Sequence, residues 1–258
     1  MKKVKSIILR TAGTNCDMET AFALKKAGSG VDLVHINELK KRKGFLNRYH
    51  ILAIPGGFTY GDDIASGKIL ANEIKHTLQE DIYEFISGGK LIIGICNGFQ
   101  VLVKIGILPG TGGGENFDIE STLSLNDSGK FIDKWVDLTK NSGEKDICVW
   151  TKGLPEIISV PIAHAEGKFV PKNKKVLRSL FKNNQIVFRY KENPNGSVED
   201  IAAVCDPTGR ILGMMPHPER HISYLQNPGW RRGLKPGMGV GIEIFKNGVK
   251  FARENLVK

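Results

Sequence analysis

Nowhere in the 258 residues is there an apolar run of the roughly eighteen that a membrane-spanning helix needs. Cysteine is scarce: four residues, at 16, 96, 148 and 205, stand far apart with no Cys-x-x-Cys pair. That spacing argues against a disulfide framework or a zinc knuckle, and reduced thiols are expected. The opening Met-Lys-Lys-Val-Lys leads into a strand-like segment too short for a signal-peptide core. A cytoplasmic protein is the expectation. Internal repeats and low-complexity blocks are missing, so solenoids and disordered linkers are not indicated. Two stretches fall short of phosphate loops. Gly110-Thr-Gly-Gly-Gly-Glu115 lacks the dinucleotide spacing and does not follow a strand, and Gly61 to Ile69 has one residue too many between its glycines and no Ser or Thr at its end.

What remains is an ordinary globular composition, 41% hydrophobic and 25% charged, long enough to bury a proper core; one domain over 1–258 is expected. The net charge of +10 raises nucleic-acid binding. Basic residues, however, concentrate in the first fifty positions and the last hundred, while 51–150 is mildly acidic. The densest run, Lys40-Lys-Arg-Lys43, carries no interleaved aromatics and reads as a solvated face or a docking patch rather than a base-reading surface.

Apolar β-type runs alternate with helical spacing. Strands are expected at Val4–Leu9, Val31–Ile36, Tyr49–Ile54 and Leu91–Ile95. Helices are expected over about Met18–Ala27, with Phe22 and Leu24 inward, over Ile69–Ser87, closed by Gly88-Gly89, and over Phe99–Ile105. Alternation of this kind argues for a parallel sheet covered on both faces, with ligands beyond the carboxyl ends of its strands. Pro55-Gly56-Gly57 and Cys96 both lie at such ends. The pattern loosens between Gly110 and Asp146. Extended segments follow from Phe131, including Ile157–Ala163 and Gln185–Tyr190, then a turn at Asn193-Pro-Asn-Gly196 and a hairpin of Ile201–Cys205 with Ile211–Met215. A last helix is expected over Glu243–Glu254.

The stretch Leu91 to Gln100 carries the chemistry. Gly94 and Gly98 bracket Cys96 as Gly-x-Cys-x-Gly, the sulfur counterpart of a nucleophile elbow, in which small neighbours allow a tight turn and expose the side chain. A thiol there sits at a helix N-terminus, which favours thiolate; the competing reading is a buried core cysteine. A cysteine nucleophile needs a base and a group to orient that base. Two His-x-Glu pairs follow apolar strands, His164-Ala-Glu166 and His217-Pro-Glu219, and residues two apart in an extended segment share a face. Residue chemistry alone leaves the choice open, with an ordinary strand-end ion pair as the alternative for each. His217 and His221 as metal ligands lack a further ligand. His35, His50 and His76 read as structural or solvated.

Five segments in order, Pro55-Gly-Gly-Phe-Thr-Tyr-Gly-Asp62, Gly94-Ile-Cys-Asn-Gly-Phe-Gln100, Pro161-Ile-Ala-His-Ala-Glu-Gly167, Asn193-Pro-Asn-Gly-Ser197 and Gly213-Met-Met-Pro-His-Pro-Glu-Arg220, resemble those of the glutaminase subunits of phosphoribosylformylglycinamidine synthases, which are class I, triad-type glutamine amidotransferases. Gly13-Thr-Asn-Cys-Asp17 is similar to the family's opening loop. The resemblance implies a flavodoxin-like α/β fold with a mostly parallel central sheet and some antiparallel strands in the C-terminal half. It implies Cys96 as nucleophile, His217 as base, Glu219 as its partner, the N–H groups of Gly57 and Asn97 as oxyanion hole and Gln100 as a substrate contact. It places His164 and Glu166 at the substrate mouth or a partner interface. Glutamine is the implied substrate, with no cofactor or metal in this chain. ATP and Mg belong to a synthetase partner, joined by a small accessory subunit. Asp63-Ile-Ala65 departs from the family's usual Tyr-Leu-Arg. Two other readings remain at this point: a stand-alone cysteine hydrolase of a γ-glutamyl or related amide, and a catalytically silent scaffold subunit.

Overall fold

The computed structural model describes residues 3–111, 118–141, 145–231, 237 and 239–257. In chain order its principal elements are β1 (Lys5–Arg10), α1 (Asp17–Lys26), β2 (Gly30–His35), α2 (Ile36–Lys40), β3 (Ile51–Ile54), α3 (Lys68–Thr77), α4 (Gln79–Ser87), β4 (Leu91–Ile95) and α5 (Asn97–Ile105). The second half adds β5 (Ser121–Ser124), β6 (Ile132–Lys140), β7 (Ile157–His164), β8 (Lys168–Pro171), α6 (Lys174–Lys182), β9 (Ile186–Tyr190), β10 (Ile201–Cys205), β11 (Ile211–Met214) and α7 (Gly241–Asn255). Nine strands form one sheet in the order β2-β1-β3-β4-β11-β10-β9-β6-β7, and β5 pairs with β8 separately.

From β2 to β11 every neighbour is parallel, and from β11 to β7 every pairing is antiparallel. The first five strands therefore have the flavodoxin-like order 2-1-3-4-5, with the fifth supplied by the C-terminal hairpin. Right-handed crossovers leave β1 and β3 in opposite directions, so α1 with α7 covers one face and α3 with α5 the other. β3 and β4 are wholly buried, which explains their unbroken apolar sequences, Ile51-Leu-Ala-Ile54 and Leu91-Ile-Ile-Gly-Ile95.

Two expectations need correction, and one helix is new. The helix expected over 69–87 is two helices broken at Leu78, whose φ of −128° lies outside the helical range. The sequence hides the break because Leu70, Ile74, Leu78, Ile82 and Phe85, all buried, keep one apolar stripe across it. Phe22 points outward, 56% exposed, with Lys26 Nζ 5.5 Å from its ring; α1 instead buries Thr20, Ala21, Ala23 and Leu24. α6 was not expected at all; Asn173 caps it, its side chain accepting from Val176 N at 3.0 Å. The basic run is largely paired within the chain, Lys40 with Glu73, Lys41 and Arg42 with Glu38, and Lys43 with Glu80. Residues 112–115 of the glycine-rich stretch lie outside the described residues.

Candidate active site

Cys96 follows directly on β4 with φ 50° and ψ −105°, a left-handed backbone that a side-chain-bearing residue adopts at a cost of about 1–3 kcal/mol. Its neighbours show what maintains that strain. A Cβ on Gly98 would stand 1.8 Å from Ile54 O, and one on Gly94 would stand 2.7 Å from Gly98 O. The two glycines let the turn between β4 and α5 press against the end of β3. Cys96 N donates to Met214 O at 2.8 Å, which ties the elbow to β11, and its Sγ lies 3.6 Å from Ala163 O on β7.

The end of β11 brings His217 to the same place. Its N–H donates to Pro161 O at 2.8 Å, and its Nδ1 lies 2.6 Å from Glu219 Oε1, both side chains almost wholly buried. A carboxylate only accepts, so Nδ1 carries the hydrogen and Nε2 is left without a partner among the described residues. Burial opposes charge on this imidazole. Glu219, Cys96 and Cys16 together outweigh it and hold its pKa well above the ordinary histidine value. The contact crosses a 3-10 turn, Pro218–Arg220, rather than an extended segment as its spacing suggested.

His164-Ala-Glu166 makes no such pair. His164 Nδ1 lies 3.1 Å from Asn126 Oδ1, while Glu166 accepts from Ser66 N at 3.2 and 3.3 Å and lies 3.8 Å from Lys104 Nζ. Geometry therefore separates the two pairs that spacing could not. His164 is neutral: burial, then the charge of His217, pulls its pKa down to about 4. His221 turns away, its Nδ1 2.8 Å from Ser159 O and its ring edge-on to Trp135, so the two histidines of the Pro-His-Pro-Glu-Arg-His run do not converge. His35 caps α2 and His50 accepts from Lys5 N.

The loop after β3 completes the site. Gly57, at φ 147°, packs so closely on the loop after β1 that a Cβ would lie 2.8 Å from Gly13 O. Neither Gly57 N–H nor Asn97 N–H, the first of α5, has an acceptor among the described residues. The Asn97 side chain instead locks the loop. Its Oδ1 accepts from Thr59 Oγ1 at 2.7 Å, and its Nδ2 donates to Asp62 Oδ1 at 3.2 Å and Gln100 Oε1 at 3.0 Å. Gln100 in turn donates to Glu166 O at 2.6 Å.

One participant escaped the sequence reading. Cys16, just before α1, lies against the His217 imidazole and receives a 3.0 Å hydrogen bond from Arg220 Nη2. The only sequence signal was its place in the Gly13–Asp17 turn. Ligand atoms of Cys16, His217 and Glu219 come within 4.8 Å of one another, but Arg220 and the His217–Glu219 hydrogen bond already engage this group.

Fold and site together define a class of protein, and comparison with known families gives it a name. Residues 3–252 match the CobB/CobQ-like glutamine amidotransferase domain, and the chain belongs to that family. Within it the chain belongs to the PurQ subunits, the glutaminase subunits of phosphoribosylformylglycinamidine synthase. It is 45% identical to that subunit of Dehalococcoides mccartyi over 98% of this chain and 100% of the relative, and 43% identical to that of Methanococcus maripaludis over 96% and 97%. Among solved structures, PurLQS from Thermotoga maritima contains a chain that superposes with a TM-score of 0.75 at 31% identity, covering 97% of this chain and 99% of that one. Full-length matches to PurQ subunits do not favour a stand-alone hydrolase or a silent scaffold.

Proposed function

We propose that Cys96 attacks the carboxamide carbon of L-glutamine, with His217 taking the thiol proton and Glu219 holding the resulting imidazolium. The observation that carries this is the buried 2.6 Å His217–Glu219 contact set beside the strained elbow cysteine. The N–H groups of Gly57 and Asn97 form the oxyanion hole, a reading supported by their lack of acceptors. When the C–N bond breaks, His217 Nε2 returns its proton to the leaving nitrogen. It then removes a proton from the water that hydrolyses the thioester to glutamate. Gln100 contacts substrate through its second amide hydrogen, since its other polar contacts are taken by Asn97 and Glu166.

The family resemblance implies that the ammonia passes to a synthetase subunit that uses ATP and Mg and that a small accessory subunit completes the assembly, and the similarity to a chain of PurLQS from Thermotoga maritima supports a partner complex. An exposed apolar group beside the site suits such a partner: Phe58 lies against Phe131, ring centroids 6.2 Å apart, and Ile64 on the same loop is 72% exposed. The reaction belongs to the cytoplasm, and among the described residues no helix is long and apolar enough to cross a membrane. Reconstituting the chain with its synthetase partner and following glutamate and amidated product tests the proposal. Glutamate formation that Cys96→Ser abolishes supports it; formation untouched by that substitution contradicts it.

A further inference from the structure

Among the buried polar atoms that lack hydrogen-bond partners among the described residues are His217 Nε2, Glu219 Oε2, His164 Nε2 and Tyr190 Oη, and the last two lie close enough to the reacting groups for His164 to feel the charge of His217 and Tyr190 that of Cys96. The first two belong to the proposed proton path. The other two have no role in it, and the chain holds them in place with care. Asn126 Oδ1 accepts from Gly167 N at 3.1 Å, while Asn126 Nδ2 donates to His164 O and Lys130 O, so the amide orientation is fixed from both ends. Oδ1 must then accept from His164 Nδ1 as well, and His164 Nε2 presents a bare lone pair. Gly167 also makes room for the ring, since a Cβ there would stand 2.6 Å from Nε2. From the far side of Gly167, Asn195 Nδ2 donates to Gly167 O at 2.9 Å. Asn195 Oδ1 is occupied by Ser197, so it is the amide nitrogen that lies beside Tyr190, and the tyrosine hydrogen is left free to donate.

Building on the amidotransferase reading above, we infer that His164 Nε2 and Tyr190 Oη form a subsite that holds the ammonia released at Cys96, the imidazole accepting one N–H and the phenol donating to the nitrogen lone pair. Ala163, next to His164, is in contact with the Cys96 sulfur, and Pro161 on the same strand holds the His217 backbone, so β7 brings this acceptor to the reacting centre. The two groups share a chemical property that suits the ligand. Ammonia stays nucleophilic only if nothing nearby protonates it, and neither neighbour is an acid at neutral pH. His164 is held neutral with a pKa of about 4, and burial raises the Tyr190 phenol well above its ordinary range.

The test uses the full chain in complex with its synthetase partner and reads amidated product formed per glutamate released. Tyr190→Phe, which deletes one oxygen and keeps the ring, and His164→Leu are expected to lower that ratio at least fivefold. The missing nitrogen should appear as free ammonium, and added ammonium salt at alkaline pH should restore product. His164→Gln, which keeps an acceptor, should recover most of the coupling. An unchanged ratio in Tyr190→Phe and His164→Leu would overturn the subsite alone. A wild-type complex that releases no glutamate would overturn the amidotransferase reading and the subsite with it.

Discussion

Glu166 gives its carboxylate to the backbone N–H of Ser66, 100 residues earlier in the chain, and not to His164 two residues away. That choice ties the loop after β3 to the strand end after β7 and leaves His217 with Glu219 as the histidine–carboxylate pair of the site. The contact makes Glu166 a strut of the loop that carries Gly57. Glu166→Gln keeps the shape but weakens the acceptor and removes the charge facing Lys104. Glutaminase activity is expected to fall about tenfold, mainly through KM as the loop loosens, while iodoacetamide still reaches Cys96.

Glu219→Gln tests the pair directly. With the carboxylate gone, one of the groups that offset burial is lost and the His217 pKa should fall, visible as a shift of its imidazole proton resonances to a lower titration pH. A loss in kcat of about 10²–10⁴ is expected with the fold intact, the scale on which triads lose activity when the histidine's partner is neutralised.

Gly98→Ala is expected to fail structurally rather than chemically. Its Cβ would enter Ile54 O at 1.8 Å, and backbone on both sides of the contact, the first turn of α5 and the end of β3, is buried. Denaturation should show a loss of at least about 3 kcal/mol, or no soluble protein. Gly129→Ala has open space around it and only a positive φ of 63° to oppose it, so a loss of about 1 kcal/mol is expected.

His164 makes a pH signature. Its folded pKa, about 4, is below the unfolded value of 6.5, so the unfolded chain takes up a proton first as pH falls. Stability is therefore lost between about pH 6.5 and 4 and held above that window. By pH 5 the loss is about 2 kcal/mol relative to neutral pH, at 1.36 kcal/mol per unit. Chemical denaturation at pH 7 and pH 5 should show this slope in the wild-type chain and a shallower one in His164→Gln. His217 acts in the opposite sense. Its raised pKa gives stability present below the ordinary histidine value and lost as pH rises through the folded one.

What the sequence disclosed and what it withheld divide along the range of the interactions involved. The elbow at Cys96 was legible because its requirement is local: glycines on either side of one residue between an apolar run and a helix. β3, β4 and β11 were legible because burial on both faces leaves no polar residue to blur them. The choice between two His-x-Glu pairs was not, because the spacing is identical and the decision is made by Ser66, Asn126 and Lys104, all distant in sequence. Cys16 was invisible as a neighbour of His217 for the same reason, since contacts between the loops after β1 and β3, among them the Thr14–Gly57 bridge and the 3.1 Å bond from Cys16 N to Gly56 O, bring it there. The break at Leu78 and the outward turn of Phe22 show the limit of periodicity, which records which residues are apolar and not whether the backbone bends between them.

The proposed mechanism makes Cys96, and no other thiol, the nucleophile. Cys16 is a control built into the molecule, because it lies against the same imidazole yet carries none of the elbow's strain. Peptide mapping after exposure to an electrophilic glutamine analogue measures the difference. Covalent label confined to Cys96, abolished by His217→Ala and retained in His164→Gln, is the expected result. Label on Cys16, or spread over Cys16, Cys148 and Cys205 with Cys96 inert, would contradict it.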